Sequence, residues 1–110
     1  MRHDVKRYRI KVSQAQIAKG DHTASYCPLA LGINDSLARI DYIPVAIVNT
    51  SRIFVFGVGS SLPRLELKHS RASLKFVRMF DRDKIAVPSI FYLEEVENSH
   101  EIRLPNQPAH

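Results

Sequence analysis

The segment from about His69 to Asp83 constrains the fold of this chain more than any other, because it separates charges from apolar residues with the period of an α-helix. Five cations in it and just before it recur at spacings of three and four, within an arc of about 80° on a helix: Lys68, Arg71, Lys75, Arg78 and Arg82. Phe76, Val77 and Phe80 fall outside that arc. The pattern predicts a helix that packs one side on a core and presents cations on the other.

The size of the chain allows one domain with one core. Its 110 residues are 45% hydrophobic and 25% charged, as in an ordinary soluble globule. No apolar run approaches the roughly 18 residues that cross a bilayer, so we expect no membrane partner. A single cysteine, Cys27, excludes an internal disulfide. We expect one folded domain over residues 1–96 and a loosely ordered tail over 97–110.

The net charge of +5 is unevenly distributed. Residues 1–19 carry six cations against one acid, and residues 64–84 carry seven against three. Residues 90–110 are acidic, with four glutamates against one arginine. Basic regions beside an acidic end suggest an anionic partner, either a nucleic acid or an acidic protein surface. A charge pattern that only keeps the protein soluble is the alternative.

The first part of the chain predicts a strand and two helices. Over Val5–Val12, apolar residues alternate with Arg7, Arg9 and Lys11, as in a half-buried strand. A Ser-x-x-Gln capping box at 13–16 then begins a short helix that a glycine at position 20 ends. A second helix begins at Pro28, and its apolar stripe is Leu29, Ile33, Leu37 and Ile40.

One glycine, Gly32, lies inside that second helix. Glycine costs about 1 kcal/mol relative to alanine in a helix interior. Either the packing at this position is tight or the helix is short.

The rest of the chain predicts four more strands around the charged helix. The runs Ile43–Val48 and Ile53–Val58 form a hairpin, and because they are apolar on both faces we expect them at the centre of the sheet. A short strand around Leu65 and Leu67 precedes the helix, whose N-cap is Ser70, and Ser89–Val96 is the last strand. The simplest packing is an α+β fold, with a mostly antiparallel sheet of four to five strands and two or three helices on one face.

No arrangement of residues predicts catalysis. Cys27 precedes a helix start, where the helix dipole would lower the pKa of its thiol, but neither His22 nor His69 is at a recognisable spacing from it. The five histidines lack metal-ligand spacing, and the glycines at 57 and 59 lack the remainder of a phosphate-binding loop. We therefore expect no enzyme, no metal and no cofactor, with an enzyme centred on Cys27 as a weak alternative.

The cations of the predicted helix are the strongest candidate for a binding site. Arg7, Arg9 and Lys11 on the first strand would extend this patch. Because aromatic residues do not interleave with these cations, contacts to a phosphate backbone or to a protein are favoured over base stacking. A helix face that is only solvated is the alternative.

Three segments occur in a characteristic order: Cys-Pro-Leu-Ala-Leu at 27–31, Phe-Val-Arg-Met-Phe-Asp-Arg at 76–82 and Val-Pro-Ser-Ile-Phe at 87–91. In this order they resemble a group of small proteins of bacteriophages and prophages, over roughly residues 8–93. The resemblance implies a protein that binds host machinery, as inhibitors of CRISPR and other defence systems do. Many such inhibitors imitate nucleic acid and are acidic, whereas this chain is basic.

The leading hypothesis is a non-catalytic phage protein in the host cytoplasm, of anti-CRISPR or other defence-inhibitor type. Its partner would be a host protein or ribonucleoprotein complex with an acidic surface. The alternative is a nucleic-acid-binding protein that contacts the phosphate backbone. An uncovered edge strand, either the first or the last, would allow a homodimer.

Overall fold

The computed structural model describes residues 6–39, 42–83 and 85–96. Its elements follow the predicted order: β1 (Arg7–Val12), α1 (Gln14–Lys19), α2 (Pro28–Leu37), β2 (Pro44–Val48), β3 (Ile53–Gly57), β4 (Pro63–Lys68), α3 (Arg71–Asp83) and β5 (Ser89–Glu95). The five strands form one antiparallel sheet in the order β1-β5-β4-β3-β2. The predicted α+β fold is confirmed. The predicted tail over 97–110 and the last stripe residue, Ile40, lie outside the described residues.

The core lies between one face of the sheet, the inner face, and the helices. Ile10, Val55, Leu67 and Leu93 project from four strands onto this face and are fully buried. Helix α2 contributes Leu29 and Ile33 to the same core, and the ring of Phe76 in α3 packs edge-on against Phe91 of β5, with 5.2 Å between centroids. The residues that alternate with the buried ones lie on the opposite, outer face of the sheet.

Reciprocal hydrogen bonds confirm the predicted starts of α1 and α3. Ser13 and Gln16 form the capping box that begins α1. At α3, the Ser73 amide donates to Ser70 Oγ at 3.0 Å and the Ser70 amide donates to Ser73 Oγ at 2.9 Å. Because these bonds satisfy amides that the helix leaves unpaired, α3 begins after Ser70, and its first residue is fixed by local sequence.

Strand β2 lies at an edge of the sheet, so its predicted central position is wrong, whereas β3 lies inside the sheet as expected. The edge is closed by other parts of the chain. The amide of Ala46 donates to Asn34 Oδ1 at 2.8 Å and that of Val48 to Ala24 O at 2.9 Å, while Pro44 has no amide hydrogen. An edge strand whose outward donors are satisfied in this way tolerates apolar residues on both faces.

Helix α2 also lies against β1, the other edge of the sheet. The amide of Lys11 donates to Ser36 Oγ at 3.0 Å. A Cβ atom at Gly32 would lie 2.8 Å from both Lys11 O and Val12 Cγ2, so the packing here is tight and glycine is required. Of the two strands expected to offer a free edge, β5 lies inside the sheet and only β1 is at an edge.

Candidate anion-binding surfaces

The eight predicted binding cations divide between two surfaces of the molecule. Arg71, Lys75, Arg78 and Arg82 lie on the exposed side of α3, and we call them the α3 ridge. The other four lie on the outer face of the sheet, and we call them the outer-face cations: Arg7, Arg9, Lys11 and Lys68. Lys68 lies in β4, as its alternation with Leu65 and Leu67 predicts, and so does not continue the row of cations on the helix. Since α3 packs on the inner face, the strand cations do not extend the ridge as the sequence suggested.

The α3 ridge is held in position by the buried side of the same helix. Ser73, Phe76, Val77 and Phe80 are buried, so rotation of the helix would expose apolar surface. Arg71, Lys75 and Arg78 are exposed, and none of the three forms an ion pair within the described part of the chain. They are separated by about 6 Å and 4.5 Å along the helix axis. The ridge thus offers three neighbouring cations to a partner.

The fourth cation of the ridge is neutralised locally. Arg82 Nε lies 2.9 Å from Asp83 Oδ2, and Asp81 is also exposed in this last turn. The ridge therefore changes from positive to mixed charge towards its C-terminal end.

Two of the outer-face cations are paired with the acidic end of the chain. Arg7 Nε lies 3.1 Å and Lys68 Nζ 3.6 Å from the carboxylate of Glu94. These pairs are exposed and contribute little to stability. They do offset the positive charges of Arg7 and Lys68, which are then less available to a partner. Arg9 and Lys11 have no ion pair among residues 6–39, 42–83 and 85–96.

An aromatic side chain lies among the outer-face cations, which the sequence reading missed. Tyr92 is directly opposite Arg9 in the β1–β5 register and is 58% exposed. Its neighbour Ile90 is opposite Lys11 and is also exposed. The alternation along β5 shows from the sequence that Tyr92 lies on the face opposite to Phe91. The sequence does not show that β5 pairs with β1, which brings Tyr92 beside Arg9.

A buried carboxylate on the outer face, paired with an exposed arginine, was also missed. Glu66 is only 4% exposed, and its Oε2 accepts a hydrogen bond from the Arg52 guanidinium. Its other oxygen, Oε1, has no hydrogen-bond partner among the described residues. In the sequence Glu66 looks like the solvated residue of an alternating strand. Its burial depends on the neighbouring strands β3 and β5.

His69 connects the start of α3 to the β2–β3 turn. Its Nε2 lies 2.7 Å from Asn49 O and therefore donates, while its Nδ1 lies 2.9 Å from Ser73 Oγ. Burial lowers the pKa of the imidazole, and the positive charge of Arg78 lowers it further, against the raising effect of the Asn49 carbonyl. The folded protein therefore favours the neutral ring.

We expect the stability of the protein to fall as the pH is lowered through the ordinary His69 pKa of 6.5. The folded-state pKa is the lower one, so the unfolded chain binds the proton more readily in this window, and the loss is complete below the folded pKa. Urea unfolding at about pH 7.5 and pH 5 measures it. A His69→Gln variant, which keeps a donor for Asn49, should lose less stability over the same interval. An equal loss in both proteins would show that protonation of His69 does not cause the fall in stability.

The environment of Cys27 opposes nucleophilic chemistry. The thiol is buried, and burial raises its pKa more than the backbone hydrogen bonds of the α2 start lower it. His22 and Asp81 line the same pocket of about 270 Å³, but the ring of His22 contacts Phe80 at 6.0 Å between centroids. Cys27 therefore packs as a small apolar residue in this core.

The described residues contain neither a metal-ligand cluster nor a membrane-spanning helix. No group of three or more histidine, cysteine, aspartate or glutamate side chains is placed to hold a metal ion. Within the same residues, no helix is both long and apolar enough to span a membrane.

Comparison with protein-family models, with curated proteins and with solved structures finds no match for this chain. The resemblance to phage proteins therefore stays a prediction. Function has to be inferred from the side chains described above.

Proposed function

We propose that this protein is a non-catalytic binding protein of phage or mobile-element type. Its α3 ridge docks on an acidic surface of a host nucleic-acid-directed complex, such as a CRISPR or other defence complex, and blocks it. The observation that carries the proposal is the exposure of Arg71, Lys75 and Arg78, without ion pairs to other described residues, on a helix anchored by its buried side. Because the helix already fixes the backbone of these cations, only their side-chain freedom is lost on binding.

The charge pattern of the ridge favours a protein partner over a nucleic acid. Asp81 and Asp83 are exposed in the last turn of α3, one turn beyond Arg78. These carboxylates would repel a phosphate backbone that continued along the helix, whereas a protein surface can match them with its own cations. Since the buried side of the helix takes up both of its phenylalanines, no aromatic ring is offered to a base.

Reversing the charges of the ridge should abolish capture of the partner. The tagged protein and an Arg71→Glu/Lys75→Glu/Arg78→Glu variant are used to capture partners from host lysate, which are quantified by mass spectrometry. We expect the variant to capture at least about tenfold less partner than the wild type, because its glutamates would repel the acidic surface.

The matched control is Arg9→Glu/Lys11→Glu/Lys19→Glu, which reverses the same number of exposed charges away from α3. Circular dichroism verifies that both variants are folded. The control should capture the partner as the wild type does. Equal capture by the ridge variant and the wild type, or equal loss in both variants, would exclude the ridge as the interface.

A second candidate function, direct nucleic-acid binding, is supported by the pair of Arg9 and Tyr92 on the outer face. A base can stack on the exposed tyrosine ring while Arg9 and Lys11 meet the adjacent phosphates. If this function holds, single-stranded probes should bind with a steep dependence on salt, and Tyr92→Ala should weaken binding about tenfold. Mobility shift across a salt series measures both, with Tyr26→Ala, an exposed tyrosine elsewhere, as the control. No shift at low salt would eliminate this candidate.

A further inference from the structure

A pocket of about 410 Å³ lies on the inner side of the sheet, beside the C-terminal end of α2. Ser36 and Leu37 of α2 form one wall, and Tyr8 of β1 and Leu65 of β4 form another. Arg39, Tyr42 and Arg64 complete the lining. None of these side chains belongs to the α3 ridge or to the outer-face cations, so the pocket is a separate feature of the molecule.

Two guanidinium groups converge in this pocket. The Cζ atom of Arg39 lies 5.8 Å and that of Arg64 5.2 Å from the centroid of the Tyr42 ring. Neither arginine forms an ion pair with any residue that the structure describes. Each gains about 0.5–1 kcal/mol from the ring. Two like charges beside one ring repel each other, and an anion in the pocket would lower that repulsion.

The backbone holds both arginines in place before any ligand arrives. Arg39 and Tyr42 exchange two backbone hydrogen bonds, of 3.0 Å and 3.1 Å. Arg64 lies at a β-bulge, where the register shifts so that Val55 faces Leu65 and Phe56 faces Pro63. Bulges of this kind redirect a side chain. The pocket is thus largely preorganised for binding.

Gly57 of β3 lies beside both Arg64 and Tyr42. A Cβ atom at Gly57 would lie 3.4 Å from Arg64 Cδ and 3.6 Å from Tyr42 Cε1, in ordinary van der Waals contact. The Arg64 side chain and the Tyr42 ring therefore pack close to the backbone of β3.

The remaining walls add one donor and an apolar lining. Ser36 Oγ accepts the Lys11 amide, which leaves its hydroxyl hydrogen available for a ligand. The Tyr8 hydroxyl donates to Glu95 Oε1 at 3.0 Å, and burial together with this bond raises the pKa of Tyr8 to about 12, so the phenol stays neutral. Leu37 and Leu65 provide apolar surface.

We propose that this pocket binds a small organic phosphate of mononucleotide size. Arg39 and Arg64 hold the phosphate, the Ser36 hydroxyl donates to it, and the wall of Tyr8, Leu37 and Leu65 contacts the flat body of the ligand. A phosphate monoester carries a charge of about −1.5 to −2 at pH 7 and three acceptor oxygens, which suits two guanidiniums and a hydroxyl better than a carboxylate does. The volume lies within the roughly 300–1,000 Å³ of small-molecule sites and exceeds what inorganic phosphate needs.

The test is calorimetric titration of the full chain at low ionic strength with four probes: adenosine 5′-monophosphate, uridine 5′-monophosphate, adenosine and inorganic phosphate. We expect a mononucleotide to bind, adenosine not to bind, and inorganic phosphate to bind more weakly than the mononucleotide. Arg39→Gln and Arg64→Gln should each weaken mononucleotide binding at least about tenfold, since each removes a charge-assisted hydrogen bond. Lys19→Gln, which removes the same charge from the exposed end of α1, should leave the affinity unchanged.

Three results would overturn the proposal. One is the absence of binding by both mononucleotides. Another is inorganic phosphate binding as tightly as the mononucleotide, which would remove the role of the apolar wall. The third is an unchanged affinity for the mononucleotide in both Arg39→Gln and Arg64→Gln. NMR amide shifts of the folded protein provide an independent readout, because the mononucleotide should perturb Arg39, Tyr42 and Arg64 and not the amides of α3.

Discussion

Replacing Gly32 with alanine is expected to lower the free energy of unfolding by about 2 kcal/mol. The added methyl group would lie 2.8 Å from the carbonyl oxygen of Lys11 and 2.8 Å from Val12 Cγ2. The first of these atoms belongs to the backbone of β1, which is paired with β5 and cannot move without weakening that pairing. Overpacking of this kind costs about 3 kcal/mol, and the better helix propensity of alanine recovers about 1 kcal/mol.

Urea unfolding of the two proteins measures the difference, and a melting temperature lower by about 8 °C is the corresponding thermal result. Gly57→Ala is the matched control, because the nearest atom to its new methyl group is Cδ of the flexible Arg64 side chain at 3.4 Å. We expect the control to lose less than about 1 kcal/mol. A Gly32→Ala variant as stable as the wild type would contradict the tight packing of α2 against β1.

Replacing Arg52 with methionine should cost about 2–3 kcal/mol of stability. Glu66 is buried, and the arginine is its hydrogen-bonded partner, so the change leaves a carboxylate without compensation. The cost falls below that of a fully buried pair because the Arg52 side chain is 45% exposed and water reaches it.

A double-mutant cycle separates the pair from its surroundings. Glu66→Leu removes the buried charge, and the variant Arg52→Met/Glu66→Leu should recover most of the stability that Arg52→Met loses, to within about 1 kcal/mol of the wild type. Chemical denaturation of the four proteins gives the coupling energy. Additive losses in the double variant would mean that the two side chains do not depend on each other.

Local signals were sufficient to predict most of the secondary structure. The capping residues Ser13, Gln16 and Ser70 fixed the starts of α1 and α3, and the alternation of Arg7, Arg9 and Lys11 with apolar residues defined β1. These signals act between residues within four positions, so they are readable without knowledge of the fold. The antiparallel α+β class followed from the order of the elements.

Features that depend on contacts between distant segments were not predictable. The apolar strand β2 was expected at the centre of the sheet because its protection by Asn34 and Ala24 is not visible in its own sequence. Lys68 was counted with the helix cations because its spacing continues their pattern, although it ends a strand and faces the other side of the sheet. The same limit hid the neighbourhood of Arg9 and Tyr92.

The candidate sites show the same division. The α3 ridge belongs to one helix. The spacing of three and four residues between its cations was therefore enough to predict it from the sequence: Arg71, Lys75, Arg78 and Arg82. The pocket of Arg39 and Arg64 was missed, since its two arginines meet at Tyr42 only after α2, β3 and β4 have assembled.

Photocrosslinking tests most directly the claim that the α3 ridge is the surface that meets the partner. A photoreactive benzoylphenylalanine replaces Lys75 in one variant and Lys11 in the other, both of which are exposed positions. Each tagged variant is irradiated in host lysate, and its adducts are identified by mass. We predict a partner adduct from position 75 and none from position 11. An adduct from position 11 alone, or equal adducts from both positions, would contradict the account.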